Sequence, residues 1–232
     1  YIYRESPFFN QLSLSKKLYW LAKGLVIKYF TKKDADYYVV QTEDVNFRLR
    51  KWIKSNNIKT VTNTFGSFFN YPVLDTGSIL PARKNKKRFL MLSAFYNHKN
   101  FGIINKLTKI IDDENIENIE FVLTVDPNIF EAYFSNISKK YIHNIGPVKP
   151  EKCPQLYSEC DYVFLPTLLE CFSANYVEAM KMKKVILTSS MPFSKTVCKE
   201  AAIYFDPLNP KDIICKMKKI INSKHMERAK IK

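Results

Sequence analysis

The sequence predicts an α/β protein with an open, parallel, doubly wound sheet, and three observations carry that prediction. Short apolar runs rich in β-branched residues alternate with helix-compatible segments along most of the chain. The runs are apolar throughout, as expected for strands that are buried on both faces of a sheet. The clearest unit is residues 161–189, where a strand ending at Pro166 leads through a polar corner and a helix into a second strand.

The first part of the chain already shows this alternation. A helix is predicted over residues 11–33, because leucines and a tyrosine recur at helical spacing, and all of its charges are lysines. Such a basic helix can lie on an anionic membrane, or it can pack against a domain. A strand at 37–41, a helix at 42–54 and a strand at 58–62 follow. Residues 63–87 lack periodicity, which predicts an interdomain connection.

The remainder of the chain repeats the pattern often enough to complete a sheet. Strands are predicted at residues 89–93, 120–125, 141–145, 162–165, 185–188 and 203–205, and helices at 101–111, 128–136, 151–159, 174–183, 194–201 and 211–223. Because parallel strands are joined by helical crossovers, this order predicts a parallel sheet. Ligands of such sheets bind beyond the carboxyl ends of the strands, so candidate site residues are expected there.

Composition narrows the function classes. The 232 residues are 46% hydrophobic, enough for a packed core, and the net charge of +15 predicts polyanionic partners. Five cysteines without a C-x-x-C pair and three scattered histidines indicate neither a zinc site nor a disulfide framework, so a reducing cytoplasm is expected. The five glycines form no dinucleotide or P-loop motif. No apolar run suits a membrane span or signal peptide. The chain starts at Tyr1 without a methionine, which suggests a fragment.

Two carboxylates mark the polar corner of the 161–189 unit. Glu170 is expected on the loop and Glu178 on the following helix, with Ser173 as the candidate cap between them. Both carboxylates can face one groove, into which the free amides at Phe172 and Ser173 would also point. A ligand with a phosphate end and a polyhydroxyl end fits that set, because one carboxylate can accept two hydroxyl donors. The alternative interpretation is a capping loop followed by a solvated helix face.

A second candidate corner follows the first strand of the second sheet. Lys99 lies in the loop 97–100, immediately before a predicted helix, which is a common phosphate position in such folds. Its ammonium would add to the free helix amides and could neutralise a diphosphate without a metal. A merely solvated basic loop is the alternative, and the neighbouring His98 is more often structural.

Several of these segments, in this order, resemble the retaining glycosyltransferases of family 4, the group-one transferases with the GT-B fold. The similar motifs are E-x₇-E at residues 170–178, FLMLSAFYNHKNF at 89–101, IGPV at 145–148, LY at 156–157, FLPT at 164–167 and AAIYFDP at 201–207. The resemblance implies four segments: residues 1–62 as the end of an acceptor-binding domain, 63–87 as a linker, 88–208 as the donor-binding domain and 209–232 as a helix that may return to the first domain.

The resemblance also implies roles for individual residues. Lys99 would hold the donor diphosphate, Glu178 would accept from the ribose hydroxyls, and Glu170 would face the transferred sugar. The catalytic pair would therefore be Lys99 and Glu170. Backbone groups of Cys171, Phe172 and Ser173 would reach the sugar hydroxyls or the phosphate. The base would lie against Gly146, Pro147 and Val148. No metal or other cofactor is implied, since the diphosphate charge would be met by Lys99 and helix amides.

Three departures from the family pattern are visible. Ala94 stands where the family usually has an arginine, five residues before the lysine, so more of the charge compensation would fall on Lys99. Cys171 replaces a glycine after the first glutamate, which removes that glycine's conformational freedom. The glycine-rich and histidine-bearing segments of the acceptor domain are not in this sequence, so the chain is expected to bind donor but transfer little.

The implied function is transfer of a sugar, with retention, from a nucleotide-diphosphate sugar to a glycan or lipid-linked acceptor in cell-surface polysaccharide biosynthesis. The positive charge favours a cytoplasmic enzyme at the anionic inner face of the cell membrane. A GT-B-like nucleotide-sugar epimerase is the main alternative. Nucleic acid is not an expected partner, because the lysines are spread along helices and not grouped with exposed aromatic side chains.

Overall fold

The structure, a computed structural model, describes residues 3–62, 66–73, 77–82 and 85–223. Two parallel sheets organise the chain: a two-stranded sheet near the N-terminus and a six-stranded sheet in the rest. The predicted α/β class with parallel sheets is confirmed.

The N-terminal unit contains the predicted helix–strand–helix–strand order. Its elements are α1 Pro7–Asn10, α2 Leu14–Asp34, β1 Tyr38–Val40, α3 Glu43–Ile53 and β2 Ile58–Thr60. Thr42 caps α3, since its hydroxyl accepts from the Val45 amide at 3.3 Å. The two acidic residues in the first turn of α3 suit the positive end of the helix dipole. The Thr42 cap and the acidic first turn, both visible in the sequence, therefore stabilise the start of α3.

The second unit carries the remaining elements. They are α4 Gly66–Asn70, β3 Lys87–Met91, α5 Gly102–Asp113, β4 Ile119–Leu123, α6 Pro127–Tyr133, α7 Asn136–Lys139, β5 Ile142–Asn144, α8 Cys153–Glu159, β6 Tyr162–Leu165, α9 Ala174–Lys181, β7 Val185–Ser189, α10 Pro192–Cys198, β8 Ala202–Phe205 and α11 Pro210–Asn222. Short 3₁₀ turns occupy residues 97–99, 150–152 and 199–201.

The order of the strands creates the crevice where a ligand is expected. The order is β5-β4-β3-β6-β7-β8, and every pair is parallel. The chain leaves β3 towards one edge of the sheet and leaves β6 towards the other edge. The loops that follow these two neighbouring strands therefore diverge and leave a gap at the carboxyl end of the sheet.

Alternation along the strands builds a core on each face of this sheet. In β3, Phe89 and Met91 join one hydrophobic cluster, and Leu90 between them joins the other. The first cluster also receives α5 and α11, and the second receives α8 and α9. Because both faces are covered, the strands are mainly apolar, and the charged Arg88 of β3 pairs with Glu120 of β4 at 3.0 Å.

The helix α11 packs on the second unit. Ile213 and Met217 of α11 belong to the same cluster as Leu107 and Ile111 of α5. Lys218 also pairs with Glu114 at 2.7 Å. Part of the predicted final segment, residues 224–232, lies outside the described residues, so its return to the first unit stays a prediction.

The predicted interdomain connection packs on the second unit wherever it is described. Phe68 of α4 and Leu80 are buried in the cluster that contains Tyr157. Glu159 at the end of α8 accepts from the amides of Ile79 (2.9 Å) and Leu80 (2.7 Å). Residues 63–65, 74–76 and 83–84 of this segment lie outside the described residues.

Two helices differ from the bounds that the sequence predicted. The helix predicted at 128–136 is two helices, because Ser135 starts α7 as a cap by accepting from the Ser138 amide at 3.1 Å. The helix predicted at 101–111 is preceded by the 3₁₀ turn at 97–99, which ends where Asn100 adopts a left-handed conformation, φ 61°. This turn places Lys99 ahead of α5 and outside its first turn.

Helix α2 exposes apolar side chains around its circumference. Leu14, Leu18, Leu25 and Tyr29, four of the predicted apolar stripe, are each more than half exposed, and Gly24 is the buried residue of this helix. None of the helices in the described ranges has the length and hydropathy needed to cross a membrane.

Candidate functional site

The two corners predicted separately from the sequence meet in the structure. The Lys99 ammonium forms an ion pair with the Glu170 carboxylate, and both side chains are largely shielded from solvent, with 15% and 12% exposed. The loops are joined by backbone contacts as well: the Leu168 amide donates to the His98 carbonyl at 2.8 Å, and the Thr167 hydroxyl donates to the same oxygen at 3.1 Å. The loops after β3 and β6 therefore form one connected structure.

Asn100 ties a third loop to this pair. Its side-chain amide donates to the carbonyls of Pro166 (3.2 Å) and Pro207 (3.0 Å). Asparagine suits this position because it tolerates the left-handed backbone better than most residues. The loops after β3, β6 and β8 are thereby held by one side chain.

Glu178, the second predicted carboxylate, lies on α9 and accepts a hydrogen bond from the Tyr157 hydroxyl at 2.9 Å. Burial raises the pKa of the Glu178 carboxyl, and the hydrogen bond from Tyr157 opposes part of that rise. Burial also raises the pKa of Tyr157, so this phenol stays a proton donor. Asn175 completes the group, since its amide donates to the Leu92 carbonyl (2.9 Å) and to the Tyr157 oxygen (3.2 Å).

A cavity of about 570 Å³ opens beside Glu178; we call it the first cavity. Ala94, Pro147 and Val148 line it, as does Asn175. Among the described residues that line it, the only charged side chains are the carboxylates of Asp126 and Glu178. A cavity with two carboxylates and no cation suits hydroxyl groups and uncharged rings, and not a phosphate.

Lys99 and Glu170 do not line the first cavity. The prediction that all three charged groups share one cleft is therefore met only in part: Glu178 lies in the cavity, and the Lys99–Glu170 pair lies outside its lining. The physical reason is that Lys99 is drawn to Glu170, and not towards the two acids of the cavity.

Gly146 lies in the turn that precedes Pro147 and Val148, two residues that line the first cavity. It has φ +72°, a conformation that L side chains rarely adopt, although a side-chain carbon there would meet only Pro127, at 3.9 Å. The glycine is thus required by the backbone turn and not by lack of space. The turn directs Pro147 and Val148 into the first cavity.

The predicted corner at residues 171–173 departs from expectation in one respect. Ser173 is at the N-cap position of α9, but its side chain forms no capping hydrogen bond and instead contacts the Asn175 side-chain oxygen at 3.2 Å. Phe172 is half-buried, and the exposed Cys171 accepts from the Thr42 hydroxyl at 3.2 Å through its carbonyl. Although Cys171 is exposed, partial desolvation by the surrounding chain, together with Glu170, raises the pKa of its thiol, which makes it a weak nucleophile.

The N-terminal unit contacts the site loops directly. Besides Thr42, Ser6 donates to the Leu168 carbonyl at 2.7 Å. His98 packs face to face with Tyr96 (5.6 Å between ring centres) and edge-on to Phe8 (6.1 Å). Burial lowers the pKa of His98, so its neutral, packed form is favoured. The structural role considered for this histidine agrees with these contacts.

Sequence reasoning missed Tyr157 and Asn175 as supports of Glu178. Tyr157 belongs to the LY motif at residues 156–157, but nothing in its spacing from Glu178 shows that the two side chains are in contact. Asn175 carried a weak signal: a polar residue in the first turn of a helix that follows a buried strand. The division of the crevice by Phe95 and Tyr96, which line two cavities, was also unforeseen.

Comparisons with known proteins identify the family and the fold. The family model for "Glycosyl transferases group 1" matches residues 78–232. No curated protein sequence matches the chain.

Solved structures share the fold at low sequence identity. Sucrose-phosphate synthase from Thermosynechococcus elongatus has 18% identity and a TM-score of 0.70, covering 86% of this chain and 52% of its own. An E. coli structure described as trehalose-6-phosphate with bound UDP-2-fluoro glucose has 10% identity and a TM-score of 0.65, covering 84% and 55%. TarM of S. aureus, in complex with UDP among other ligands, has 13% identity and a TM-score of 0.66, covering 88% and 40%. The chain thus spans about half the length of these proteins or less.

Proposed function

The chain belongs to the group 1 glycosyl transferases, and from that premise we propose that it moves a sugar from a nucleotide-diphosphate sugar to an acceptor hydroxyl with retention of configuration, as a member of family 4. One observation carries the proposal: a shielded Lys99–Glu170 pair at the meeting point of the β3 and β6 loops, next to a cavity that holds Glu178. Cation, first carboxylate and second carboxylate come from three elements that converge at the carboxyl end of one sheet.

The first cavity suits the nucleoside half of the donor. Glu178, held by Tyr157, would accept from the ribose hydroxyls, and the base would lie against the turn Gly146–Val148. The part of the chain that the structure describes places two carboxylates and no cation in the cavity lining, which favours this uncharged half over the diphosphate.

The diphosphate would then extend towards Lys99. Because Lys99 is paired with Glu170, a bound phosphate would compete with that carboxylate for the ammonium and leave Glu170 free to face the sugar. As the bond between the anomeric carbon and the phosphate oxygen breaks, Lys99 and the backbone amides of residues 171–173 would stabilise the leaving diphosphate. Ala94 supplies no charge, so the charge compensation in the reaction as proposed depends on Lys99 and the backbone amides.

For the acceptor we propose a glycan or a lipid-linked sugar, used in polysaccharide biosynthesis at the cytoplasmic face of a membrane. Two features support a membrane location: the net charge of +15 and the exposed apolar side chains of α2, interleaved with lysines. Cosedimentation with phosphatidylglycerol vesicles, and none with phosphatidylcholine vesicles, is the expected result. Cosedimentation with neither kind of vesicle would place α2 in domain packing instead.

A donor screen tests the central proposal. Binding to the native protein raises its melting temperature, so one of the UDP-, GDP- and ADP-sugars should do so, and UDP-sugars are tried first. Lys99→Ala and Glu178→Ala should each lower donor affinity in titration calorimetry, whereas Lys109→Ala on the exposed face of α5 should not. Unchanged donor affinity in both site variants would reject the assignment.

Product analysis separates the proposed transfer from the alternative activity. An epimerase of the same fold would release an epimerised or free sugar when no acceptor is present. Mass spectrometry and NMR of the products distinguish these outcomes from a glycoside whose anomeric configuration is retained.

A further inference from the structure

Asp126 is the carboxylate of the first cavity to which the proposed function gives no role. It lies in the segment that follows β4, and its neighbours Thr124 and Ile129 line the same cavity. Glu178, the other carboxylate, is supported by Tyr157 and is assigned to the ribose hydroxyls. A second carboxylate in a cavity for an uncharged nucleoside favours a ligand that also donates hydrogen bonds from its other end.

The backbone that leads into Asp126 is held from both sides. The Ser93 amide, after β3, donates to the Thr124 hydroxyl at 3.0 Å. The side chain of Asn144, the last residue of β5, accepts from the Val125 amide at 3.0 Å and donates to the Val125 carbonyl at 2.9 Å. Because these three bonds join the segment to both neighbouring strands, the sheet fixes the position of the carboxylate.

This segment lies against the turn proposed for the base. A side-chain carbon at Gly146 would meet Pro127, the residue after Asp126, at 3.9 Å. Pro147 and Val148, the next two residues of the turn, line the first cavity together with Asp126. A base placed against the turn would therefore lie next to this carboxylate.

One oxygen of Asp126 serves the following helix, and the other is available to a ligand. Oδ1 accepts from the amides of Asn128 at 2.9 Å and Ile129 at 3.4 Å, which makes Asp126 the cap of α6. Among the residues that the structure describes, none donates a hydrogen bond to Oδ2. The cap restrains the side chain, so Oδ2 keeps a defined position and can accept two donors.

The nucleobases differ in what they present to a carboxylate. Guanine presents two adjacent N–H donors, on its ring nitrogen N1 and on its 2-amino group. Uracil presents a single N–H donor between two carbonyl oxygens, which a negative charge repels. Adenine and cytosine present an amino group beside a ring nitrogen that only accepts. A carboxylate at the edge of the base therefore favours guanine and opposes uracil.

We propose that Asp126 determines the base specificity of the donor, and that the donor is a guanosine-diphosphate sugar whose N1 and 2-amino groups donate to this carboxylate. The inference rests on the proposed function and specifies the substrate class of that site. It places GDP-sugars ahead of the UDP-sugars with which the donor screen begins. Asp126 acts on binding and takes no part in the transfer step.

The test is titration calorimetry of the intact chain with GDP, IDP, UDP and ADP. IDP, inosine diphosphate, differs from GDP only in lacking the 2-amino group. GDP should bind about tenfold more tightly than each of the others, as expected for a hydrogen bond to a charged group. In Asp126→Asn, GDP should lose about tenfold in affinity and bind like IDP, because an asparagine side chain can turn its amide donors towards the base.

The variant keeps the cap of α6, since asparagine is as good a cap as aspartate, so its melting temperature should be unchanged. Asp113→Asn is the matched control, because it removes the same charge from an exposed carboxylate at the end of α5, outside the cavity. All four affinities should be unchanged in this control.

The inference is overturned if UDP or ADP binds as tightly as GDP, if GDP and IDP bind alike, or if Asp126→Asn keeps the original preference. Should Asp126→Asn fail to fold, the comparison of GDP with IDP in the original protein decides alone. Nucleotide binding without a preference for guanine removes only this inference. If none of the four nucleotides binds, the proposed function is lost as well.

Discussion

Removing the hydrogen bond between Tyr157 and Glu178 tests whether Glu178 binds nucleotide in the first cavity, as proposed. Tyr157→Phe removes the hydroxyl that lies 2.9 Å from the Glu178 carboxylate and keeps the ring, which packs edge-on against Phe68 at 5.7 Å. It also takes from Asn175 one of its two acceptors, leaving the Leu92 carbonyl. The substitution therefore changes one oxygen atom in an otherwise retained packing.

The expected magnitude follows from the burial of this bond. A hydrogen bond to a charged group contributes roughly 1.5–3 kcal/mol, and Tyr157 is fully buried, so solvent does not replace the lost donor. The bond favours the ionised carboxylate; without it, the pKa of Glu178 rises further above its ordinary value. Since the proposed ribose contact uses an ionised Glu178, nucleotide binding in the variant should fall off at a higher pH than in the original protein.

The assay is calorimetric titration with the nucleotide found in the donor screen, repeated from about pH 5 to pH 8. Tyr157→Phe should weaken binding about tenfold near neutrality and shift the acidic limb upward. Tyr141→Phe is the matched control, because its hydroxyl also donates to a carboxylate, Asp112 at 2.8 Å, at the opposite end of the sheet. Identical pH profiles for the original protein and Tyr157→Phe would refute the proposed support of Glu178.

Three further predictions concern stability. Glu178→Gln should raise the melting temperature increasingly as pH rises, because a carboxyl whose folded pKa is raised contributes stability at low pH and loses it as pH passes that pKa; scanning calorimetry measures this. Lys99→Met should lower the free energy of unfolding in urea by about 2 kcal/mol, since it leaves the shielded Glu170 carboxylate without its cation. Gly146→Ala should cost about 1 kcal/mol in the same assay, because alanine disfavours φ +72°.

Each of these has its own control. Adding Glu170→Gln to Lys99→Met should recover most of the loss, and a purely additive double variant would contradict the ion pair. Gly146→Asn should cost less than Gly146→Ala, because asparagine tolerates the left-handed region, and equal losses would point to crowding. A melting difference for Glu178→Gln that shrinks as pH rises would reverse the argument from burial.

The fold followed from the sequence because burial on both faces leaves an unambiguous pattern. Continuous apolar runs such as residues 162–165 and 185–188 are strands in the structure within one residue. The polar corner with Glu170 and the loop with Lys99 could also be placed, since the carboxyl ends of parallel strands meet at one edge.

The partners within the site did not follow from the sequence. Lys99 and Glu170 are 71 residues apart, and periodicity says which side chains are buried but not which ones touch. For the same reason, the sequence did not show that Tyr157 contacts Glu178. The separation of Lys99 from the first cavity goes with the unforeseen Lys99–Glu170 pair, whereas the division of the crevice comes from Phe95 and Tyr96, which line two cavities.

Asn100 has a consequence for anyone who redesigns this protein. One amide group donates to the peptide carbonyls of Pro166 and Pro207 and so links the loops after β3, β6 and β8. Exchanging one segment for that of a homologue would break the fastening and disturb the other two. Substrate preference should therefore be transplanted by grafting all three segments together, with the asparagine kept.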